Sequence, residues 1–211
     1  MSAISPRELT PDGLRALART RLRAELSAEA LSGDHAIAGH EVDAQLIAAA
    51  RPAAVLAPII ARAEGLTMLL TLRAADLRNH SGQIAFPGGT IDRDEKPGET
   101  ALREAREEIG LEARFIEPLG WLDPYLTGTG YHVAPLVALI DPGFALRLSP
   151  GEVAETFETP FAFLMDEANH RLEERIWRGR PRKFYAMPYG ERYIWGITAG
   201  ILRNLYEKLF T

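Results

Sequence analysis

The chain has 211 residues, of which 46% are hydrophobic; it contains no cysteine and carries a formal net charge of −5. This length and hydrophobic fraction favour one compact domain with an appendage and exclude a largely disordered chain. The lack of cysteine excludes disulfides, thiolate zinc sites and a cysteine nucleophile, and the negative charge argues against nucleic acid as a partner, since phosphate neutralisation needs a basic surface.

The first part of the chain predicts a helix followed by a connecting segment. Thr10-Pro11-Asp12 is typical of a helix start, with a hydroxyl cap, a proline in the first turn and an early acid. Apolar residues then recur at helical spacing, at Leu14, Leu17, Ala18, Leu22 and Leu26. Residues 32–51 show no clear period. We therefore predict an N-terminal helical extension and linker over residues 1–51 and a main domain over residues 52–211.

The main domain alternates strands with two helices. Gly98–Ile109 and Ile197–Leu209 have helical periodicity, and Gly110 is a suitable stop for the first helix. Strands are predicted at Ala53–Ala61, Leu66–Leu72, Gln83–Phe86, Phe115–Trp121, Tyr131–Ile140, Val153–Thr159, Arg171–Trp177 and Arg182–Met187. This order favours an α/β fold in which helices cover both faces of one sheet.

The sequence also gives an expectation for where the protein works. Its longest apolar run, Pro52–Ala61, is about half the length of a membrane span. The N-terminal residues do not show the basic and then apolar pattern of a secretory signal. Together with the lack of cysteine, this predicts a cytoplasmic protein that has no membrane as a partner.

The first helix of the main domain carries carboxylates in a pattern that favours a metal ion. At about 100° per residue, Glu104 and Glu108 flank the apolar face that contains Ala101 and Ala105, whereas Glu107 lies almost opposite that face. An acidic helix is usually a solvated surface, but two carboxylates at a core boundary repel each other and lose solvation. Because a hard divalent cation resolves both problems, we predict Glu104 and Glu108 as the first metal ligands, with Glu107 joining from the outer side.

The residues around this helix resemble the Nudix box, Gly-x5-Glu-x7-Arg-Glu-U-x-Glu-Glu-x-Gly-U, where U is aliphatic. The chain matches the fixed positions at Gly89, Glu95, Arg103, Glu104, Glu107, Glu108 and Gly110. Leu111 fills the last aliphatic position, whereas the first holds the smaller Ala105. Seven matches at fixed positions occur by chance about once in 10⁸ windows. The chain is therefore identified as a member of the Nudix hydrolases.

This resemblance implies a Nudix α/β/α sandwich with a mixed sheet and the hydrolysis of a nucleoside diphosphate linked to another group. The cofactor would be Mg²⁺ or Mn²⁺. Glu95 would pair with Arg103 and brace the loop against the helix. The metal would be held by Glu104, Glu107, Glu108 and the backbone of Gly89, where glycine permits close approach.

A second motif, Leu69-Leu70-Thr71-x-Arg73-Ala74-x3-Arg78-x3-Gly82-x3-Phe86-Pro87-Gly88-Gly89, resembles the coenzyme A pyrophosphatase branch of the family. This implies that coenzyme A or an acyl-CoA is cut at its diphosphate to 3′,5′-ADP and (acyl-)4′-phosphopantetheine. The partner would be this nucleotide diphosphate. The sequence leaves open whether the protein forms a homodimer. A broader pyrophosphatase for ADP-ribose or dinucleotides is the alternative. A nucleotide-binding sensor without turnover is disfavoured by the complete set of glutamates.

Four residues of the second motif are predicted to bind substrate, namely Arg73, Arg78, Gly82 and Gln83. The two arginines can hold phosphates through bidentate contacts and are the first candidates for the 3′-phosphate of coenzyme A. Gly82 and Gln83 lie where a polar loop could contact the ligand. Trp195, at a strand-to-helix junction, is interpreted as a packing residue rather than a platform for a base.

The predicted catalytic residues are Glu152, Glu155, Glu104 and Arg103. The resemblance to the Nudix hydrolases implies that the proton acceptor lies in a loop beyond the box. Glu152, at the end of Ser149-Pro150-Gly151-Glu152, is the first choice, Glu155 the second and Glu104 the third.

Overall fold

The computed structural model describes residues 5–27, 31–39, 42, 44–75, 82–177 and 179–211, and every structural statement concerns these residues. The elements, apart from short 3₁₀ turns, are α1 (Pro11–Arg21), β1 (Ser32–Gly33), α2 (Asp34–Ala38), α3 (Ala44–Ala49), β2 (Arg51–Arg62), β3 (Gly65–Arg73), β4 (Ile84–Ala85), β5 (Gly88–Thr90), α4 (Pro97–Ile109), β6 (Ile116–Trp121), β7 (Tyr125–Leu126), β8 (Tyr131–Ile140), β9 (Val153–Pro160), α5 (Phe161–Leu164), β10 (Arg171–Trp177), β11 (Arg180–Tyr189), β12 (Arg192–Trp195) and α6 (Ile197–Phe210). No helix in this part of the chain combines the length and the apolar content that crossing a membrane would need.

The larger sheet is mixed, because β2 pairs parallel with β8 and antiparallel with β3. Its main order is β1-β7-β8-β2-β3-β4, with β5, β6 and β9 pairing with β2, β8 and β3. Successive residues of a strand face opposite sides. Accordingly, Leu56 packs in a cluster with Ala105 of α4, and Ile59 lies in the cluster that contains Leu202 of α6 and Leu14 of α1. The predicted α/β/α sandwich with a mixed sheet is confirmed.

Strands β10, β11 and β12 form a separate antiparallel sheet, whereas the sequence predicts a single sheet. The turn between β11 and β12 contains Gly190 with φ 56°, which lets the chain reverse so that Tyr189 pairs with Arg192. Local patterns predicted β10 and most of β11 but not β12, and the sheet that a strand joins depends on tertiary contacts. The last strand of the small sheet leads through Gly196 into α6.

The N-terminal extension packs against the main domain. α1 ends at Arg21 instead of continuing to Leu26, because the backbone of Arg23 pairs with Trp121 through bonds of 3.2 and 2.8 Å. Strand β1, inside the segment predicted as a linker, pairs in parallel with β7. Leu14 of α1 is completely buried. The described part of the extension therefore contains three α-helices and an edge strand. The boundary at residue 52 stays a prediction about which part can fold alone.

Replacing Leu14 with alanine tests how far the domain depends on α1. We expect the free energy of unfolding in urea to fall by about 2–5 kcal/mol, because a fully buried side chain is removed. Leu46→Ala on α3 is the matched control, since that side chain is 62% exposed and should change stability by less than about 0.5 kcal/mol. Equal stability of Leu14→Ala and the wild type would make α1 a dispensable appendage.

Candidate active site

Helix α4 holds its acidic residues in a defined orientation because both of its ends are capped. At the start, Glu99 accepts a hydrogen bond of 2.8 Å from the backbone N–H of Lys96, and Pro97 occupies the first turn. At the end, Gly110 has a left-handed φ of 71°. A side chain at Gly110 would come within 2.8 Å of the backbone nitrogen of Arg147. The helix therefore ends at Ile109, and Gly110 is its C-terminal cap, as predicted.

The three candidate ligands on α4 differ in exposure in the order given by the helical wheel. The side chain of Glu108 is 6% exposed, that of Glu104 is 18% exposed and that of Glu107 is 57% exposed. Oε2 of Glu108 accepts a hydrogen bond of 3.1 Å from the backbone N–H of Gly88, and its Oε1 lies 3.5 Å from Nη1 of Arg73. Glu108 therefore faces the loop that precedes the helix.

Burial makes the two inner carboxylates hard to ionise. It raises the pKa of Glu108 to about 7, and the negative charges of Glu104 and Glu152 add to this effect against the opposing hydrogen bond from Gly88 and the charge of Arg73. Burial also raises the pKa of Glu104, against the hydrogen bond from Arg103. Because a divalent cation would stabilise both ionised carboxylates, the residues present fit such an ion.

Arg103 donates hydrogen bonds to three glutamates, Glu95, Glu104 and Glu107. Its Nε and Nη2 donate to both oxygens of Glu95 at 2.8 and 3.0 Å, and its Nη1 donates to Glu104 at 2.9 Å and to Glu107 at 3.0 Å. Arg103 and a hydrogen bond of 2.6 Å from the hydroxyl of Thr100 lower the pKa of Glu95 to about 2. Glu95 and Arg103 thus tie the loop before α4 to the helix.

The carboxylates are engaged by arginines in this arrangement. Glu104 and Glu107 bind Arg103, and Glu108 lies beside Arg73. Within the described residues, no three His, Cys, Asp or Glu side chains form a group that could hold a metal ion as they stand. A divalent cation would therefore compete with the two arginines for these carboxylates.

The loop before β9 brings a fourth carboxylate towards the helix. The backbone N–H of Ser149 donates to the carbonyl of Glu108 at 2.9 Å, and the carbonyl of Glu152 accepts from Ala74 at 2.9 Å. The charge of Glu152 contributes to the raised pKa of both Glu104 and Glu108. Glu155 is directed elsewhere, since its Oε1 lies 2.5 Å from Nη2 of Arg192.

A cavity of about 580 Å³ opens beside the glycines that precede α4. One wall comes from the large sheet and the loop and includes Arg73, Gln83, Gly88 and Gly89. The small sheet and the start of α6 line the same cavity with Arg175, Arg182, Phe184 and Trp195. The volume suits a ligand of nucleotide size.

The structure brings some predicted substrate residues together and leaves others apart. Arg73 and Gln83 line the cavity, whereas Gly82 lies in the turn beside it with φ 67°. Arg78 lies outside the described residues. Trp195 was interpreted as a packing residue, and its ring does contact Phe184 with centroids 5.4 Å apart, but it also lines the cavity.

Sequence reasoning did not identify the cavity residues of the small sheet. Arg175, Arg182 and Phe184 lie on strands that were predicted, and Arg182 and Phe184 are two residues apart and so share a face. That spacing was a usable signal for one surface of β11. The sequence offered no means of placing this surface beside the same cavity as Gly88 and Gly89, because these residues are far from β11 along the chain.

Comparison with known proteins connects this geometry to a family. The model of the NUDIX domain matches residues 50–182. Proteins named "Uncharacterized Nudix hydrolase NudL" from Photorhabdus laumondii and Yersinia pestis are each 41% identical over 160 residues, which cover 75% of this chain and 85% and 80% of the two relatives. The solved structure of DR0079 from Deinococcus radiodurans is similar with a TM-score of 0.49 and 16% identity, covering 74% of this chain and 83% of that chain. Since the NUDIX model matches more than half of its residues, the chain belongs to the Nudix hydrolase family.

Proposed function

We propose that the protein hydrolyses the diphosphate of coenzyme A or of an acyl-CoA to 3′,5′-ADP and (acyl-)4′-phosphopantetheine. One observation carries this proposal. Arg73, Gly88 and Gly89, which belong to the motif that resembles the coenzyme A pyrophosphatase branch, line the same cavity, and Arg73 and Gly88 contact the buried carboxylate of Glu108. The two motifs thus contribute to one site.

The groups proposed to hold Mg²⁺ or Mn²⁺ are Glu104, Glu107, Glu108 and the carbonyl of Gly89. The raised pKa values of the two buried glutamates support this assignment, because a nearby cation favours their charged forms. Glu107 is exposed and held by Arg103, so we rank it behind them. A divalent ion bound there supplies neutralisation of the diphosphate charge and a more acidic water.

Glu152 is proposed as the proton acceptor. In the reaction, the oxygen of water forms a bond to one phosphorus, and the bridging P–O bond breaks with its electron pair on the leaving phosphate. The proton of the water passes to the carboxylate. The proximity of Glu152 to Glu104 and Glu108 supports this choice, and the ion pair of Glu155 with Arg192 argues against the second candidate.

Arg73 is proposed to bind the diphosphate rather than a distant part of the substrate. It lies beside Glu108, and its Nε is buried with no hydrogen-bond partner among the described residues. A buried guanidinium nitrogen without a partner is costly, and a phosphate oxygen would satisfy it. That Arg78 binds a phosphate of the substrate stays a prediction.

A panel of diphosphates tests the proposed substrate. Values of kcat/KM with Mg²⁺ and with Mn²⁺ are measured for coenzyme A, an acyl-CoA, ADP-ribose and diadenosine diphosphate. We expect one of the two CoA compounds to have the highest value. A higher value for ADP-ribose or for the dinucleotide would establish the broader pyrophosphatase instead.

Replacing Gly89 with alanine is expected to impair catalysis without unfolding the protein. The added methyl group would come within 2.3 Å of Oε1 of Glu104, and this flexible side chain would move aside. We expect kcat/KM to fall about a hundredfold, because a displacement of about 1 Å in a catalytic group can have that effect. Gly98→Ala is the matched control, since its methyl group would meet only Trp121 at 3.7 Å. Similar activity of both variants would show that Glu104 need not stay in place.

A further inference from the structure

Two arginines face each other on the small sheet. Arg175 of β10 and Arg182 of β11 are direct partners in the antiparallel register, and both line the cavity. Like charges placed directly opposite each other on neighbouring strands destabilise a sheet. A bound anion between the two side chains would offset that repulsion. The pair therefore places two positive charges on the cavity lining, where they attract an anionic ligand.

The surroundings of Arg175 orient it on this wall. Its guanidinium lies over the rings of Phe184, Tyr193 and Trp195, at 5.5, 5.6 and 5.7 Å from their centroids. Its Nη2 donates to the hydroxyl of Tyr193 at 3.3 Å and lies 3.9 Å from Glu173. Contacts with ring faces restrain a guanidinium while its planar N–H edge can still bind an oxyanion.

The start of α6 adds to the positive character of the same wall. Gly196 and Ile197 line the cavity where the helix begins. The N-terminus of a helix of this length carries a partial positive charge and favours anions. This partial charge adds to the charges of the two arginines in attracting an anion.

The arginine pair lies on the small sheet and Arg73 lies at the end of β3 in the large sheet, and all three residues line the cavity. Arg73 is beside Glu108, where the diphosphate is proposed to be cut, so the pair is placed for a second anionic group away from the reacting bond. Coenzyme A carries such a group, the 3′-phosphate of its nucleoside. The sequence favoured Arg73 and Arg78 for this phosphate. Because Arg73 lies beside Glu108, the arginines of the small sheet are the better candidates among the described residues.

We infer that Arg175 and Arg182 bind the 3′-phosphate of the substrate and that Trp195, on the same wall, contacts the adjoining base. This inference rests on the proposed function, because it assigns part of the same substrate to the same cavity. A bidentate contact between arginine and phosphate changes specificity by about ten- to a hundredfold. Arg182 is the sharper test, since its replacement leaves the ring contacts of Arg175 in place.

Kinetics with coenzyme A and dephospho-coenzyme A, which differ only in the 3′-phosphate, test the inference. We expect the wild type to prefer coenzyme A by at least tenfold in kcat/KM, and Arg182→Gln and Arg175→Gln to lose most of that preference. Arg182→Gln should lower kcat/KM at least about tenfold more for coenzyme A than for dephospho-coenzyme A, because only coenzyme A carries the phosphate that Arg182 would bind. Arg171→Gln, which removes a charge from the same strand outside the cavity lining, should keep the full preference.

Binding of two nucleotides provides a readout that does not depend on turnover. Calorimetric titration with 3′,5′-ADP and with AMP should show tighter binding of 3′,5′-ADP to the wild type and equal binding to Arg182→Gln. A preference that survives in both arginine variants, or a wild type that does not distinguish the nucleotides, would overturn the inference. If neither CoA compound is hydrolysed, the proposed function fails, and this titration still decides whether the arginine pair recognises the phosphate.

Discussion

Glu108→Gln is expected to keep the fold and to lower kcat/KM at saturating Mg²⁺ by at least about a hundredfold. The substitution keeps the volume of the side chain and removes the charge of the most buried candidate ligand on α4. Because burial raises the pKa of Glu108 to about 7, the folded protein without a cation gains little from that charge. The loss should therefore fall on catalysis and not on stability.

Two further substitutions control this result. Glu107→Gln should reduce kcat/KM less, because Glu107 is mostly exposed. Glu112→Gln, at an exposed position just beyond α4 where the carboxylate pairs with Arg114, should leave activity unchanged. Circular dichroism of all three variants verifies folding. Turnover near the wild-type rate in folded Glu108→Gln would refute its role as a metal ligand, and a larger effect at Glu107 would reverse the ranking.

Arg103→Lys is expected to lower both the stability and the activity of the protein. Arg103 donates to three carboxylates through three nitrogens, and the single ammonium of lysine cannot reproduce the bidentate contact with Glu95 together with those to Glu104 and Glu107. We expect the free energy of unfolding to fall by about 1–2 kcal/mol. We expect kcat/KM to fall by at least about tenfold, because Glu104 and the loop lose their support.

The matched control for this variant lies on the same helix. Arg106 is exposed on α4, so Arg106→Lys should change neither quantity. Denaturation in urea gives the stability, and kcat/KM gives the activity. If Arg103→Lys behaves like Arg106→Lys, the contacts of Arg103 contribute neither to stability nor to activity.

The sequence was sufficient for the parts of the site that depend on one element. The exposures of Glu104, Glu107 and Glu108 follow from helical geometry, because neighbours on α4 determine which side meets the sheet. The end of the helix at Gly110 followed from its tolerance of positive φ. The longer strands of the main domain were predicted from local patterns, whereas the short strands β5, β7 and β12 were not.

Parts of the fold that depend on distant contacts were not predictable in this way. No local pattern shows that β10–β12 would form their own sheet or that Arg175 and Arg182 would line the same cavity as Gly88 and Gly89. The contribution of β1 to the large sheet was hidden because its segment is short and contains no periodic apolar residues. These features arise from tertiary packing, which local propensity does not encode.

Product analysis tests the central claim most directly. Coenzyme A is incubated with the protein and Mn²⁺, and the products are identified and quantified by mass spectrometry. We expect equal amounts of 3′,5′-ADP and 4′-phosphopantetheine, and a chelator or the Glu108→Gln substitution should abolish both. Intact coenzyme A under conditions in which ADP-ribose is hydrolysed, or cleavage of coenzyme A that is unchanged by the chelator and by Glu108→Gln, would contradict the account.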